Sequence, residues 1–430
     1  MEKLAHYYPI YSEKDYEVIP IRLRLNADHE YTGKGVTIAF IDSGFFPHPD
    51  LTRPKNRILE YVNIAEPGKN DLAEIDEASW HGMQTSVVAA GNGYLSNGLY
   101  KGIAWEANVV LLKVTGPRGI ETANVIKALE WVIKHKEEYD IRIVNLSISG
   151  DQVSSYLDNA LDQAAEGAVQ AGITVVVAAG NSGNGGWNAI HPPASAPSVI
   201  TVGGLDDKNT LDVAHYRMYW SSYGPTLDGL LKPELIAPGI WIAAPLLPGS
   251  PLQQEAEALE RLRRAPDGEI EALFSRLRKA TKLPPLPRAT PKTIRKAVAA
   301  RVKREKLIHA HYQHVDGTSF SAPIVCSVIA QMIEANRNLT PRRIKEILTK
   351  TTDKVYGVPL ERQGHGLIHA RKAVKEAWND LHRTGVRRPA SPYVRGGEVF
   401  FYFQHPSAHS VALAGDFNDW NPHREFLVKQ

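Results

Sequence analysis

Three segments of the chain carry the side chains that a nucleophilic hydrolase needs. Asp42 ends an apolar run, His81 opens the stretch HGMQTSVVAAG, and Ser319 lies within DGTSFSAPIV. A serine hydroxyl becomes a nucleophile when a histidine takes its proton and an aspartate orients that histidine. Singly, each residue has a plain structural explanation: a turn or cap for Asp42, packing for His81 and a helix N-cap for Ser319. Together, in this order and in these contexts, they predict nucleophilic catalysis.

The surroundings of Ser319 fit a nucleophile held at the start of a helix. Gly317 allows a tight turn, and the apolar run after Ser319 predicts a buried helix. The first amides of a helix have no partner within it and can face a developing oxyanion. Pro323 falls in the first turn, where its missing N–H costs little.

Near-continuous apolar runs predict the strands that must position these residues. Such runs, rich in Val and Ile, are typical of parallel strands buried on both faces. They alternate with helical spacing over residues 121–138 and 154–171. The pattern predicts an α/β fold with a mainly parallel sheet covered on both sides. The runs are VTIAFID (36–42), NVVLLKV (108–114), IRIVNLSIS (141–149), ITVVVAAG (173–180) and SVITVGG (198–204).

Composition excludes several classes of protein. Of 430 residues, 43% are hydrophobic and 23% charged, the balance of a globular chain and not of a disordered one. The single cysteine, Cys326, excludes an internal disulfide and a cysteine-based zinc site. No apolar run reaches the ~18–20 residues that span a bilayer, so we expect no membrane partner. The N-terminus lacks the apolar core of a signal peptide, which predicts a cytoplasmic protein, or an extracellular one if the sequence is a trimmed form.

A basic helical insertion is predicted at residues 246–310. Residues 251–310 hold 15 Lys and Arg against 7 Asp and Glu, whereas the whole chain has a net charge of only +3. Prolines in PLPRATPKT interrupt the helical spacing and indicate an elbow. A solvated helical hairpin, a lid and an exosite for acidic partners all fit this segment. Its charge also fits nucleic acid, but it has no pattern of stacking aromatics, so we do not expect that partner.

The C-terminal end has a different pattern. After a basic, proline-containing linker at 383–397, residues 398–430 alternate as antiparallel strands do and include the turn NDWNP. The segment is too short for a complete sandwich. It predicts a small β element, a partial immunoglobulin-like sandwich.

The motifs around the three reactive residues resemble those of the subtilisin-like serine proteases. The chain order Asp…His…Ser is the order of that family. The matches span about residues 30–375. They are VTIAFIDSG around Asp42, HGMQTSVVAAG around His81, VVVAAGNSG around Asn181, WSSYGPTLDGLLKPELIAPG at 220–239 and DGTSFSAPIV around Ser319.

This resemblance implies a three-layer α/β/α peptidase domain over residues 35–382 and a serine endopeptidase that works through an acyl-enzyme on Ser319. His81 is then the general base and later the acid, and Asp42 orients it. Asn181 is implied to donate a hydrogen bond to the oxyanion beside the backbone N–H of Ser319. Its alternative is a turn residue between glycines. The chemistry implies no cofactor, and the partner is a protein or peptide substrate.

The resemblance also implies where the substrate lies. One segment would pair as an edge strand with an extended substrate backbone, and a second would form the other wall of the pocket for the residue before the cut. Phe320 stands where the family usually has Met, a departure that bears on substrate preference. The two segments are Ser147, Ile148, Ser149 and Gly150, and then Ala178, Ala179 and Gly180.

Three further expectations come from resemblance. Residues 1–34 form an N-terminal extension in which VIPIRL (18–23) is either a short inhibitory segment that blocks the cleft or a strap packed on the surface. Asp50 stands where some members bind structural calcium. Residues 398–430 resemble the first half of a glycogen-binding module, with Trp420 as a sugar-stacking residue. The alternative function is therefore a polysaccharide-associated binding protein with a regulatory or silent protease domain.

Overall fold

A computed structural model describes residues 16–69, 71–150, 152–183 and 190–383, together with Glu13 and the stretches 393–395, 398–401, 410–413, 416–419, 421 and 425–426. The strands of the main domain are β1 (Thr37–Asp42), β2 (Ile58–Asn63), β3 (Asn108–Lys113), β4 (Thr115–Gly116), β5 (Gly119–Ile120), β6 (Ile141–Leu146), β7 (Thr174–Ala178), β8 (Ile200–Asp206), β9 (Arg217–Met218), β10 (Gly224–Pro225), β11 (Leu231–Lys232), β12 (Leu235–Pro238), β13 (Ile242–Pro245), β14 (Leu307–His309) and β15 (Tyr312–Val315). The helices are α1 (Ile21–Arg24), α2 (Pro49–Thr52), α3 (Ser79–Ala90), α4 (Thr122–His135), α5 (Ala160–Gln170), α6 (Pro251–Arg264), α7 (Ile270–Leu277), α8 (Pro291–Arg304), α9 (Thr318–Ala335), α10 (Pro341–Thr351), α11 (Leu360–Gln363) and α12 (Ala370–Arg383).

The central sheet confirms the predicted α/β fold. Its parallel strands lie in the order β12-β8-β7-β6-β1-β3-β2, and β9 pairs with β8 in the antiparallel sense. Five of these strands correspond to the apolar runs of the sequence. The other two parallel strands, β2 and β12, form the two ends of the order, where a strand has a neighbour on one side only. β2 is half-exposed along most of its length, so it carries no continuous apolar run.

The sheet is covered by helices on both faces, which gives the three layers. Because successive side chains of a strand point to opposite faces, Ile38 and Phe40 of β1 pack in one core, and Ala39 and Ile41 pack in the other. Helices α3, α9, α10 and α12 cover the first face, and α4 and α5 cover the second.

Helix α9 is the central helix of the larger core. By length and composition it is apolar enough to cross a membrane, but 89% of its 18-residue window is buried inside the fold. Cys326 lies on it and is fully buried. The apolar character of α9 is thus explained by packing, and near its N-terminus Ser319 is only partly buried.

The strand order places a crevice where a site is expected. From β1 the chain passes to the outer strand β2 and returns to β3 between them, and it then adds β6, β7, β8 and β12 in order on the other side of β1. The direction therefore reverses between β1 and β6, and open α/β sheets bind ligands beyond the carboxyl ends of the strands at such a point. Asp42 ends β1 there, and Ser147 follows the end of β6.

The described part of the N-terminal extension forms a strap. Val18 is buried in a small cluster with Tyr100, Ile308 and Tyr312. Further along, Arg24 forms a buried ion pair with Asp207, with 2.5 Å between Nε and Oδ2. These contacts favour the strap over the alternative in which VIPIRL blocks the cleft.

The insertion folds as three helices and not as a hairpin. Helices α6, α7 and α8 enclose an apolar cluster of their own, which includes Leu259, Phe274 and Ile294. A buried carboxylate, Glu255, is paired with Arg301 and Lys282 from the later part of the segment. The chain then returns through β14 and β15, and β15 pairs with β13 in the antiparallel sense. The insertion is therefore a small packed unit that is tied to the domain at both ends.

The C-terminal segment is described only in short pieces. Tyr393–Arg395 pairs with Glu398–Phe400, and Ala412–Leu413 pairs with Glu425–Phe426, both in the antiparallel sense. Trp420, the predicted sugar-stacking residue, lies outside the described residues.

Candidate active site

Two of the predicted residues meet at the carboxyl end of β1. His81 lies in the first turn of α3, and its Nδ1 is 2.6 Å from Oδ1 of Asp42. The Asp42 side chain is fully buried, whereas 19% of the His81 side chain is exposed. The pair can therefore hold a proton on His81 next to solvent while its charge partner stays in the protein interior.

Further donors fix the carboxylate of Asp42. The Ser43 backbone N–H donates to Oδ1 at 2.7 Å, and the Thr85 hydroxyl donates to Oδ2 at 3.0 Å. Thr85 follows His81 by four residues, so both side chains lie on one face of α3. Both oxygens of Asp42 thus accept hydrogen bonds, which fixes the orientation of the carboxylate towards His81.

A close approach of two backbones brings α3 to the end of β1. A Cβ built on Gly82 would lie 2.3 Å from the Gly44 carbonyl oxygen and 2.9 Å from the Asp42 Cβ. Only glycine fits at that distance, so the His81-Gly82 pair is required for packing as well as for chemistry.

The electrostatics of the pair raise the pKa of His81. Burial lowers the pKa of His81, but the charge of Asp42 and the hydrogen bond to it raise the pKa more, so the net pKa lies above the ordinary value of 6.5.

Ser319 is half-buried beside this pair. Its neighbour Phe320 has its ring centroid 5.9 Å from that of His81. The Ser319 hydroxyl donates a long 3.5 Å hydrogen bond to the Ser147 carbonyl, and the Ser147 hydroxyl donates to the Ser319 carbonyl at 2.8 Å. The preceding Gly317 has φ +138°, a conformation that favours glycine. The nucleophile candidate is therefore tied through Ser147 to the end of β6.

Asn181 is held so that its amide nitrogen is left for a ligand. Its Oδ1 accepts hydrogen bonds from the Thr318 N–H at 3.0 Å and the Thr318 hydroxyl at 3.1 Å. The same hydroxyl accepts from the Gly180 N–H at 3.2 Å. Because the acceptor end is occupied, the donor end of an exposed Asn181 can point into the cleft next to Ser319.

The predicted substrate segments extend two neighbouring strands. Ser147–Gly150 follows β6 directly, and Ala178–Gly180 lies at the end of β7, which pairs with β6 in the parallel sense. The two segments therefore leave the sheet at the carboxyl ends of neighbouring strands. A cavity of about 190 Å³ opens beside Ile148, and its other apolar walls come from Ile120, Val125 and Leu161.

Comparison with known proteins agrees with this geometry. The model of the subtilase family of peptidases matches residues 33–366. The chain belongs to the subtilase family. It is 32% identical to "Serine protease AprX" of Bacillus subtilis (strain 168) over 350 residues, which cover 80% of this chain and 67% of that protein. It is 28% identical to "Subtilase-type proteinase RRT12" of Saccharomyces cerevisiae, over 50% of this chain and 38% of that protein.

A solved structure shows the same fold. A protease from Pseudoalteromonas arctica PAMC 21717 superposes with a TM-score of 0.57 at 21% sequence identity, covering 88% of this chain and 98% of that chain. Family and fold together make this subtilase a subtilisin-like serine endopeptidase, whose substrates are proteins or peptides. Catalysis by a serine, a histidine and an aspartate requires no cofactor.

Asp50, the predicted calcium ligand, is held by protein donors. The buried Asp50 carboxylate accepts hydrogen bonds from the Tyr312 hydroxyl and, at 3.1 Å, from the Leu95 N–H. Within the described part of the chain, no cluster of three or more His, Cys, Asp or Glu could hold a metal ion. These contacts give Asp50 a structural role, and calcium binding there stays a prediction from the sequence.

Sequence reasoning missed several residues that shape the site. Thr85 and Thr318 orient Asp42 and Asn181, and Ile120 lines the cavity beside Ile148. The spacing of Thr85 from His81, one helical turn, is a signal that was available in the sequence. Thr318 and Ile120 gave no such signal, because their partners are distant in the chain.

Proposed function

We propose that this subtilase cleaves peptide bonds through an acyl-enzyme on Ser319, with His81 as general base and then general acid and Asp42 as its orienting partner. The observation that carries this proposal is the 2.6 Å hydrogen bond between His81 and Asp42, next to the helix that begins at Thr318. An intact triad speaks against a silent protease domain.

The steps follow the geometry. The Ser319 hydroxyl turns from the Ser147 carbonyl to His81, and its oxygen attacks the substrate carbonyl carbon while its proton passes to His81 Nε2. His81 then gives that proton to the leaving amine, and the C–N bond breaks. A water molecule repeats the sequence on the acyl-enzyme, releases the acid and restores the Ser319 hydroxyl. Asn181 and the Ser319 N–H stabilise the oxyanion in both halves.

Labelling with a fluorophosphonate tests the proposal directly. We expect intact-mass analysis to show one adduct, mapped to Ser319 and absent from the Ser319→Ala variant, because only a hydroxyl activated by His81 reacts rapidly. If folded protein without residues 1–23, which include VIPIRL, stays unlabelled as well, a cleft blocked by that segment is excluded and the catalytic assignment fails.

Thr85 is proposed as a positioning residue for Asp42. In Thr85→Val the carboxylate loses a donor, its charge is less compensated, and the His81 imidazolium is stabilised further. In the parent, the pKa of His81 is already raised by Asp42. Because only neutral His81 accepts the serine proton, the acid limb of the pH profile of kcat/KM should move to still higher pH in this variant. We also expect kcat to fall about tenfold. Thr85→Ser keeps the hydroxyl and should restore both properties. An unchanged acid limb in Thr85→Val would exclude this role.

The slot between Ser147–Gly150 and Ala178–Gly180 is proposed to bind the substrate in extended form. The cavity beside Ile148 is apolar, so one substrate position that pairs with this segment should prefer Leu or Phe to Ala by about tenfold in kcat/KM. Ile120 is 43% exposed, and Ile120→Trp should narrow the cavity and shift the preference to smaller side chains. Val213→Trp, an exposed site away from the cavity, serves as the control. A series of peptides with alanine substituted at each position in turn measures the preference. If Ile120→Trp and Val213→Trp showed the same substrate preference, the assignment would be wrong.

Polysaccharide binding by residues 398–430 stays a prediction from the sequence. It depends on Trp420, whose surroundings are outside the described residues.

A further inference from the structure

A second groove lies between the insertion and the loop that leads to Ser319. Its volume is about 630 Å³. Val298 and Leu307 form its buried floor, and Val302 and Trp241 form apolar walls. The Trp241 ring is stacked on His314, with 4.4 Å between the ring centroids. The groove is thus a preformed apolar surface that a bulky side chain can enter.

The rim of this groove is positively charged. Four cations, Arg263, Arg295, Lys303 and Lys306, face two acids, Glu17 and Asp316. Three of these cations are already paired: Arg263 with Glu17 at 3.1 Å and with Glu260 at 2.9 Å, Arg295 with Asp267 at 2.6 Å, and Lys306 with Asp316.

Lys303 is the rim cation best placed to meet a ligand. It is exposed, and the described residues offer it no ion pair within 4.0 Å. Because the other three rim cations already have acidic partners, the charge of Lys303 is the one that favours a ligand with a carboxylate.

The groove is close to the reacting atoms. Asp316 lines it and precedes Ser319 by three residues, so the two Cα atoms are at most about 11 Å apart. The Trp241 N–H is 3.4 Å from Asp316 Oδ1, and the Gly317 N–H donates to the Gly239 carbonyl at 2.7 Å. A chain bound at the cleft needs only a few extended residues to reach the groove.

We propose that this groove is an exosite that binds an acidic segment of the protein substrate, anchored by one bulky apolar side chain. The inference rests on the proposed peptidase function and adds a substrate class to it. Burial of the apolar side chain on Val298 and Leu307 supplies affinity, and the charge of Lys303 selects a carboxylate. Because the segment belongs to the chain being cut, binding here raises its effective concentration at Ser319.

Extended peptide substrates test the exosite. A fluorogenic peptide that the protein cleaves is lengthened at one end or the other by Glu-Leu-Glu-Phe-Glu, or by Lys-Leu-Lys-Phe-Lys with the same apolar residues. At one of the two ends we expect KM about tenfold lower for the acidic extension, with kcat little changed. The difference should shrink in 0.5 M salt, as screening requires. No difference at either end overturns the proposal.

Three variants on α8 locate the effect. Lys303→Glu reverses the rim charge and Ala299→Trp, at an exposed lining residue, fills the groove, so both should abolish the preference for the acidic extension. Lys296→Glu makes the same charge change at an exposed residue of α8 that does not line the groove. This variant should keep the preference for the acidic extension. A preference that survives Ala299→Trp, or that disappears equally in Lys296→Glu, overturns the assignment.

The same experiment distinguishes failure of the exosite proposal from failure of the proposed peptidase function. Cleavage of the unextended peptide and labelling of Ser319 should be equal in all variants. If the unextended peptide is cleaved but the extensions make no difference, only the exosite fails. If a single-stranded oligonucleotide binds with steep salt dependence and leaves KM unchanged, the groove serves nucleic acid and the exosite is wrong.

Discussion

Replacing Ser319 by alanine is expected to lower kcat by a factor on the order of 10⁶, the magnitude found for the triad of subtilisin itself. Without the Ser319 hydroxyl no acyl-enzyme can form, because His81 is placed to accept the proton of that hydroxyl only. KM should change little, because the hydroxyl contributes little to binding of the ground state. Steady-state kinetics on a peptide substrate, with the protein concentration determined independently, gives both constants.

Two companions sharpen this test. Ser321→Ala removes a hydroxyl two residues further along α9, where Ser321 donates to the Pro238 carbonyl at 3.1 Å, and should keep most of the activity. The double variant Ser319→Ala/His81→Ala should be no slower than Ser319→Ala alone, because residues that act as one unit do not contribute additively. A further large loss in the double variant would mean that His81 acts independently of Ser319.

The sequence predicts the interior of the sheet well and its edges poorly. The five apolar runs became strands because strands buried on both faces must be apolar along their whole length. The edge strand β2 is partly exposed along most of its length, so it gave no such run. The run 141–149 was also read too long: β6 ends at Leu146, and the residues after it stay extended without pairing as strand.

The site shows the same division between local and tertiary information. The motifs identify Asp42, His81 and Ser319, because each sits in a short stretch whose geometry is local. The motif HPDL alone could not show the hydrogen bond between Asp50 and Tyr312, because the two residues are 262 positions apart in the chain. The same limit applies to the insertion, for which a hairpin, a lid and an exosite were all left open: its buried Glu255 pairs with Arg301 across 46 residues.

Replacing Asn181 by alanine has the second largest expected effect, a fall of about 10²–10³ in kcat with KM nearly unchanged. The amide donor acts where negative charge develops, so its loss raises the transition state more than the bound substrate. Asn181 is exposed, and the Asn181→Ala protein should unfold at nearly the parent temperature. Ser182→Ala, the neighbouring exposed residue, is the control and should keep the parent kcat.

We expect Thr318 to orient the amide of Asn181. The N–H and the hydroxyl of Thr318 both donate to Asn181 Oδ1. These two hydrogen bonds prevent the amide from rotating, so its Nδ2 is left free to donate to another group. Thr318→Ser keeps this hydroxyl and should be nearly neutral, whereas Thr318→Val loses it and should lower kcat about tenfold. In the background of Asn181→Ala the Thr318→Val substitution should have almost no further effect on kcat, because the group it orients is gone. An additive loss in that double variant would show that Thr318 acts on Ser319 directly, and that the amide of Asn181 is oriented by other contacts.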